Sequence, residues 1–136
     1  MKKQSVISGV DHVNIRCRDI EESVSFYRDI LGFDYVLTRD LRPSSPITSV
    51  FMKRDSFVIE LANGHDMSLY SKEGRTNHIG MTVEDIHEAY RTLKEQGVKI
   101  TADIVKVNDY FYCFFIEGPN EEKIEILEYL PETKRA

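Results

Sequence analysis

The stretch DHVNIRC at residues 11–17 returns in altered form as NHIGMTV at residues 77–83. Both copies alternate apolar and polar side chains, a period of two that is typical of a strand with one polar face. A capping box follows each copy, Asp19 to Glu22 and Asp85 to Glu88, and it predicts the start of a helix. Gly32 and Gly97 predict where these helices end. The two halves of the chain therefore begin with the same strand and helix.

Three strand patterns follow each helix. They cover residues 33–41, 48–53 and 57–62 in the first half, and 98–107, 110–116 and 123–129 in the second. The sequence therefore predicts an α+β fold in which two βαβββ modules form a curved mixed sheet. We expect a single domain over residues 1–136, with an internal repeat at 7–62 and 76–130.

A glutamate recurs in the last strand of each half, in VIEL at residues 58–61 and KIEI at residues 123–126. Glu60 follows His12 by 48 residues, and Glu125 follows His78 by 47. Strand alternation turns both glutamates away from the apolar face of their strands, so the four side chains can meet on one concave surface. Two imidazoles and two carboxylates would balance the charge of a divalent ion.

The predicted metal ligands are His12, Glu60, His78 and Glu125. Mixed nitrogen and oxygen ligands suit nickel, cobalt, zinc, manganese or iron, with coordination positions left open for water or substrate. In the alternative interpretation, the histidines are hydrogen-bonded sheet residues and the glutamates are solvated strand positions. The joint recurrence of all four favours a metal site.

Composition excludes several other classes of function. The chain has 18 basic and 23 acidic residues and a net charge of −5, without a basic stripe, so we expect no nucleic-acid partner. Its apolar runs are too short to span a bilayer, and no apolar signal-peptide core follows the first residues. The two cysteines lie in apolar strand patterns, as in a reducing compartment. The sequence predicts a cytoplasmic protein without membrane contact.

The same motifs resemble the vicinal oxygen chelate superfamily, which includes glyoxalases, bleomycin-resistance proteins and dioxygenases. The resemblance rests on DHV at residues 11–13, FY at 26–27, LGF at 31–33, NHI at 77–79 and GPN at 118–120, and it spans nearly the whole chain. It implies one glyoxalase-like domain. The ligand order His, Glu, His, Glu is most similar to that of glyoxalase I, or lactoylglutathione lyase.

That resemblance implies a metal-dependent lyase or isomerase acting on a chelating α-hydroxycarbonyl, such as a hemithioacetal, through an enediolate. Glu125 is implied as the catalytic base, with Glu60 as a ligand or opposite-face proton acceptor. Arg16 and Asn63 are similar to residues that contact the thiol part of the substrate. A surface ion pair for Arg16, and turn formation by Asn63 before Gly64, are the alternatives.

The implied partners are a small-molecule substrate, with a thiol adduct as one candidate, and a second copy of the chain in a homodimer. Within the superfamily three other functions stay open. They are a metal-dependent resistance thiol transferase, an epimerase and a metal-free small-molecule binding module.

Overall fold

The computed structural model of the protein describes residues 11–40, 48–64, 66–69, 78–107 and 111–131. The first module contains β1 (Val13–Arg16), α1 (Ile20–Ser25), β2 (Asp34–Asp40), β3 (Thr48–Arg54) and β4 (Phe57–Ala62). The second contains β5 (Ile79–Thr82), α2 (Ile86–Glu95), β6 (Lys99–Lys106), β7 (Phe111–Glu117) and β8 (Lys123–Tyr129). The ends of the predicted repeat at residues 7–10 and 76–77 lie outside the described residues, so its exact bounds stay a prediction.

Each module forms its own four-stranded mixed sheet. The strand orders are β1-β4-β3-β2 and β5-β8-β7-β6, which are the same order in the two modules. β1 runs parallel to β4 and β5 runs parallel to β8, while the other neighbours are antiparallel. The predicted α+β class with two βαβββ modules is confirmed.

Both helices begin where the sequence predicts. The Asp19 carboxylate accepts hydrogen bonds from the backbone N–H groups of Glu21 and Glu22 at 3.0 and 3.2 Å. Asp85 does the same for His87 and Glu88 at 3.0 and 3.1 Å. These bonds satisfy N–H groups that have no partner inside the helix.

The first helix differs from its predicted form, because α1 ends at Ser25 and the chain continues as a π-helical turn over Phe26–Ile30. Gly32 then adopts a φ of 72°, which favours glycine. The wider turn leaves Tyr27 fully buried and edge-on to Phe33 at 5.3 Å between ring centroids. Packing against the sheet therefore decides the shape of this turn.

The apolar cores lie between each sheet and its helix. Met52, Ile59 and Leu61 are fully buried in the first, and Phe114, Ile116 and Ile124 in the second. Of the residues that the structure describes, Phe26, Leu31 and Met81 pack against both cores and join them. Glu60 and Glu125 alternate with core residues along their strands, and so face the other side of their sheets.

A polar network also joins the modules, between the turn before β8 and the segment that runs from Arg18 to Tyr27. The Tyr27 hydroxyl donates to Glu122 Oε2 at 3.1 Å, and Asn120 Nδ2 donates to Ser23 Oγ at 2.8 Å. The Arg18 backbone N–H donates to Asn120 Oδ1 at 2.9 Å. Burial raises the pKa of Glu122, although hydrogen bonds from Asn120 and Tyr27 act in the opposite direction.

Cys17 and Cys113 are both buried and free, as expected for a chain without disulfides. Burial raises the pKa of the Cys17 thiol to about 11, which leaves it protonated at neutral pH. No helix in the described part of the chain is both long and apolar enough to cross a membrane.

Candidate metal centre

His12 and Glu60 meet at the start of β1. The parallel pairing of β1 with β4 places Asn14 opposite Glu60, so His12, two residues earlier on the same polar face, lies beside the glutamate. His12 Nε2 is 3.2 Å from Glu60 Oε1. The glutamate side chain is 13% exposed and the histidine 33%. This pair is partly shielded and still open on one side.

The other nitrogen of His12 has its own partner, since Nδ1 lies 2.7 Å from Asp11 Oδ2. A proton on Nδ1 donates to this carboxylate, and it leaves the Nε2 lone pair for a metal ion. Carboxylates that hold a histidine in this way fix its tautomer and ring orientation. The contact with Asp11 thus leaves His12 Nε2 available to a metal ion.

His78 and Glu125 form the matching pair in the second module. Gly80 lies opposite Glu125 across β5 and β8, as Asn14 lies opposite Glu60. His78 Nε2 is 3.4 Å from Glu125 Oε1, and the side chains are 38% and 16% exposed. The structure thus brings together two of the four predicted ligands in each module.

A phenylalanine supports each histidine. Phe51 and Phe115 lie opposite Glu60 and Glu125 across the neighbouring strands. They contact His12 and His78 edge-on, at centroid distances of 5.3 and 5.6 Å and interplanar angles of 83° and 88°. The two half-sites therefore share their backbone frame and the packing of their imidazoles.

A cation lies over each of these rings, Arg39 over Phe51 at 5.3 Å and Lys123 over Phe115 at 5.1 Å. These side chains give each half-site a positive neighbour. An anionic substrate approaching either pair would meet favourable charge.

The geometry of each pair fits a shared metal ion. Two ligands about 2.1 Å from one ion, at 90° to 109° to each other, lie about 3.0 to 3.4 Å apart. The observed separations of 3.2 and 3.4 Å fall in this range. The donors are an imidazole nitrogen and a carboxylate oxygen in both cases, which suit the first-row divalent ions.

The two pairs do not meet within one chain. Among the described residues, no three histidine, cysteine, aspartate or glutamate side chains are close enough to hold one metal ion. A cavity of about 760 Å³ lies between the modules and is lined by β5, α2 and the β3–β4 hairpin. None of the four predicted ligands lines it, so this cavity is not the predicted site.

Glu60 has polar neighbours besides His12. Asn14 Nδ2 donates to Glu60 Oε1 at 3.0 Å. Burial alone would raise the pKa of Glu60, but Asn14, Ser49 and the charges of His12 and Arg39 outweigh it and hold this pKa below its ordinary value. The fully buried Ser49 hydroxyl contributes by proximity, because it has no partner in hydrogen-bonding geometry among the described residues.

The two predicted substrate-binding residues lie together at the far end of the same strands. Arg16 pairs with Ala62 across β1 and β4, and Asn63 follows directly with its backbone N–H bonded to Thr48 O at 2.9 Å. Arg16 shares the polar face of His12, about 13 Å along the strand. Both side chains are half-buried, and their role in substrate binding stays a prediction.

Sequence reasoning did not assign roles to Asp11, Asn14, Phe51 or Phe115. A signal was present for Asn14, because a residue two positions after His12 on the strand must share its face. The contacts of the phenylalanines depend on strand register, which a single alternating pattern does not give.

Comparison with known proteins places these features in a family. The model of the Glyoxalase/Bleomycin resistance protein/Dioxygenase superfamily matches residues 9–126. The uncharacterised protein YwbC of Bacillus subtilis is 30% identical over 123 residues, with 88% of this chain and 96% of that protein covered. A lactoylglutathione lyase of Neisseria meningitidis is 28% identical over 122 residues, with 86% of this chain and 88% of that protein covered.

Solved structures agree. The trypanothione-dependent glyoxalase I of Leishmania major is 27% identical, with a TM-score of 0.71 over 87% of this chain and 84% of that one. A fosfomycin resistance protein of Listeria monocytogenes, solved with Mn(II), is 16% identical, with a TM-score of 0.71 over 94% and 98% of the two chains. This second likeness shows the fold alone. The resemblance predicted from the sequence motifs is confirmed, and the chain belongs to the Glyoxalase/Bleomycin resistance protein/Dioxygenase superfamily.

Proposed function

We propose that this protein is a metal-dependent lyase or isomerase of the lactoylglutathione lyase type, acting on the hemithioacetal of a thiol and an α-ketoaldehyde. The observation that carries the proposal is the matched pair of half-sites, His12 with Glu60 at 3.2 Å and His78 with Glu125 at 3.4 Å. Relatives named lactoylglutathione lyase, 28% identical over 122 residues, support this chemistry.

The metal would be held by His12, Glu60, His78 and Glu125, with one His–Glu pair from each of two chains. When bound, a divalent ion supplies Lewis acidity that polarises the substrate carbonyl and stabilises negative charge on its oxygens. Nickel, cobalt, zinc, manganese and iron all suit these donors. The proposal leaves the choice among them to measurement.

The protein side chains would move the proton. The Glu125 carboxylate accepts the proton from the carbon that bears sulfur and returns it to the neighbouring carbon. The hydroxyl proton of the first carbon passes to the carbonyl oxygen of the second, so the hemithioacetal becomes a thioester without net gain or loss of atoms. Glu60 serves as ligand or as proton acceptor on the opposite face. Arg16 and Asn63 would bind the carboxylate and amide groups of the thiol compound, such as glutathione, that forms the hemithioacetal.

The first test measures metal content and turnover together. Protein purified without added metal is subjected to elemental analysis, then stripped and reloaded with each candidate ion. It is then assayed with methylglyoxal and glutathione for thioester formation. We expect one ion per His2Glu2 set and ion-dependent turnover. Absence of both binding and turnover with every ion contradicts the proposal and favours a metal-free binding module.

Two substitutions test whether the carboxylate of Glu125 acts as the base. Glu125→Gln should lower turnover by at least about a hundred-fold, in the range of a lost general base. Glu117→Gln is the matched control, since Glu117 is 15% exposed against 16% for Glu125 and pairs with Lys99 instead of a histidine. Full activity in Glu125→Gln would remove this residue from the role of base.

A mixing experiment tests whether the site forms between chains. One variant carries His12→Ala and Glu60→Gln, and the other carries His78→Ala and Glu125→Gln. In a homodimer with shared sites, a mixed dimer regains one intact site, so co-refolded variants recover activity that neither has alone. If all four ligands came from the same chain, every site in the mixture would lack one His–Glu pair, and the mixture would stay inactive.

A resistance-type reaction has the support of the fold alone, because the fosfomycin resistance protein is 16% identical. The same metal-loaded protein is therefore assayed with fosfomycin and thiol. Conversion of fosfomycin without conversion of methylglyoxal would replace the proposed function by this alternative. An epimerase would instead exchange a substrate proton with solvent without using a thiol.

A further inference from the structure

The two glutamates of the half-sites have different neighbours at equivalent positions. Asn14 lies opposite Glu60 and Gly80 lies opposite Glu125, each across a parallel strand pair. Asn14 Nδ2 donates a hydrogen bond to Glu60 Oε1 at 3.0 Å. A glycine has no side chain with which to do the same for Glu125. One carboxylate is held by an amide that the other lacks.

The strands on the other side of the two glutamates also carry different residues at equivalent positions. Ser49 and Cys113 each lie two residues before the phenylalanine that faces the glutamate, and both are buried. Ser49 offers a hydroxyl on the side of Glu60, whereas Cys113 offers a thiol on the side of Glu125. A thiol is a weak donor beside a hydroxyl or an amide. The Ser49 hydroxyl has no partner in hydrogen-bonding geometry among the described residues, so the Asn14 amide is the observed donor that restrains Glu60.

Burial does not explain the difference, because Glu60 and Glu125 are 13% and 16% exposed. The imidazoles do not explain it either, since both are packed edge-on against a phenylalanine at 5.3 and 5.6 Å. One difference between the half-sites is the Asn14 amide, which donates a hydrogen bond to Glu60 and has no counterpart at Gly80.

We infer that Asn14 is a positioning residue that keeps Glu60 fixed as a metal ligand, while the missing side chain at Gly80 leaves Glu125 free to leave the ion and carry the proton. The inference rests on the proposed function. A carboxylate that alternates between ligand and base must rotate about its side chain, and a hydrogen bond from an opposite amide opposes that rotation. The same backbone arrangement thus holds two carboxylates that have different roles.

The structure has space for a side chain at Gly80, so an amide can be introduced beside Glu125 by substitution. A Cβ atom at Gly80 would meet Leu127 Cδ2 at 3.6 Å and Glu125 Oε1 at 3.7 Å, which are ordinary van der Waals distances. Gly80 is also not among the glycines with a positive φ, so an L-residue fits its backbone. Gly80→Asn would place an amide beside Glu125 as Asn14 stands beside Glu60.

The experiment compares Asn14→Ala, Gly80→Asn and the control Gly80→Ala. Metal affinity is measured without substrate, by competition with a chromophoric chelator for Ni²⁺ or Co²⁺, and kcat and KM are measured at saturating metal. We expect Asn14→Ala to weaken metal affinity about ten- to hundred-fold, as for other residues that hold a ligand in place, with kcat at saturating metal nearly unchanged. Circular dichroism checks that each variant is folded.

Gly80→Asn should keep the metal affinity of the wild type, or bind more tightly, and lose at least about ten-fold in kcat at constant KM. Gly80→Ala should resemble the wild type in both measurements. Unchanged metal affinity in Asn14→Ala, or unchanged kcat in Gly80→Asn, would overturn the inference alone. A wild-type protein that binds no divalent ion would overturn the proposed function and the inference together.

Discussion

The Tyr27 hydroxyl provides a sharp test of the network that joins the two modules. Tyr27 is fully buried, and its hydroxyl donates to Glu122 Oε2 at 3.1 Å across 95 residues of sequence. In Tyr27→Phe, the side-chain contact that remains for this oxygen among the described residues is that of Asn120 Nδ2 at 3.5 Å. A buried carboxylate that loses a donor loses about 1.5 to 3 kcal/mol of stability.

This loss of stability corresponds to a measurable decrease in melting temperature. Unfolding entropy of about 2.1 cal/mol/K per residue gives about 0.29 kcal/mol/K for a chain of 136 residues. The melting temperature of Tyr27→Phe should therefore fall by about 5 to 10 °C. Calorimetry at pH 8, with urea unfolding as a second probe, measures the change.

Tyr90→Phe is the matched control. Its hydroxyl donates to Asp103 at 2.7 Å on the exposed surface of the second module, where water replaces a lost partner. We expect little change in its melting temperature. A Tyr27→Phe protein as stable as the wild type, or an equal loss in both variants, would refute the role given to the buried hydroxyl.

Two further predictions concern the same turn. Burial raises the pKa of Glu122 in the folded protein above its value in the unfolded chain. The contribution of the protonated carboxyl to the unfolding free energy is therefore fully present below the unfolded pKa, and it is lost as the pH rises through the folded pKa. Between pH 4 and pH 8 the unfolding free energy of Glu122→Gln should thus improve relative to the wild type, and parallel urea-unfolding profiles would contradict this. Glu121 has a φ of 63°, which an L-residue adopts at a cost. Glu121→Gly should therefore gain about 0.5 to 1 kcal/mol in urea unfolding, and a loss would show that its side chain matters more than the backbone strain.

Periodicity was enough to predict most of the fold. Alternation in residues 11–17 and 77–83 identified the first strand of each module, and β4 and β8 have their predicted bounds. The acidic caps Asp19 and Asp85 identified both helix starts. These features are local, since they depend on neighbours one to four residues apart. The π-helical turn is not local, because it depends on how Tyr27 packs against the sheet.

The sequence predicted which histidine lies beside which glutamate, but it did not predict the residues that pack around them. Matched spacing in two halves pointed to His12 with Glu60 and His78 with Glu125, and the structure brings each pair within 3.4 Å. The contacts of Phe51 and Phe115 required the register of β3 and β7. Tyr27 is fully buried, and its bond to Glu122 lies beyond any periodic signal in the sequence.

Two identical half-sites would restrain their carboxylates equally, so a simple repeat could not give Glu60 and Glu125 different roles. In the proposed reaction one carboxylate would stay on the metal ion while the other would move to carry the proton. The backbone cannot distinguish Glu60 from Glu125, since the strand orders and registers of the two modules match. The distinction must come from side chains outside the ligand set, and Asn14 opposite Glu60 against Gly80 opposite Glu125 is such a difference. A chain carrying Gly80→Asn would have two restrained carboxylates, and on this reasoning it would bind its metal and turn over slowly.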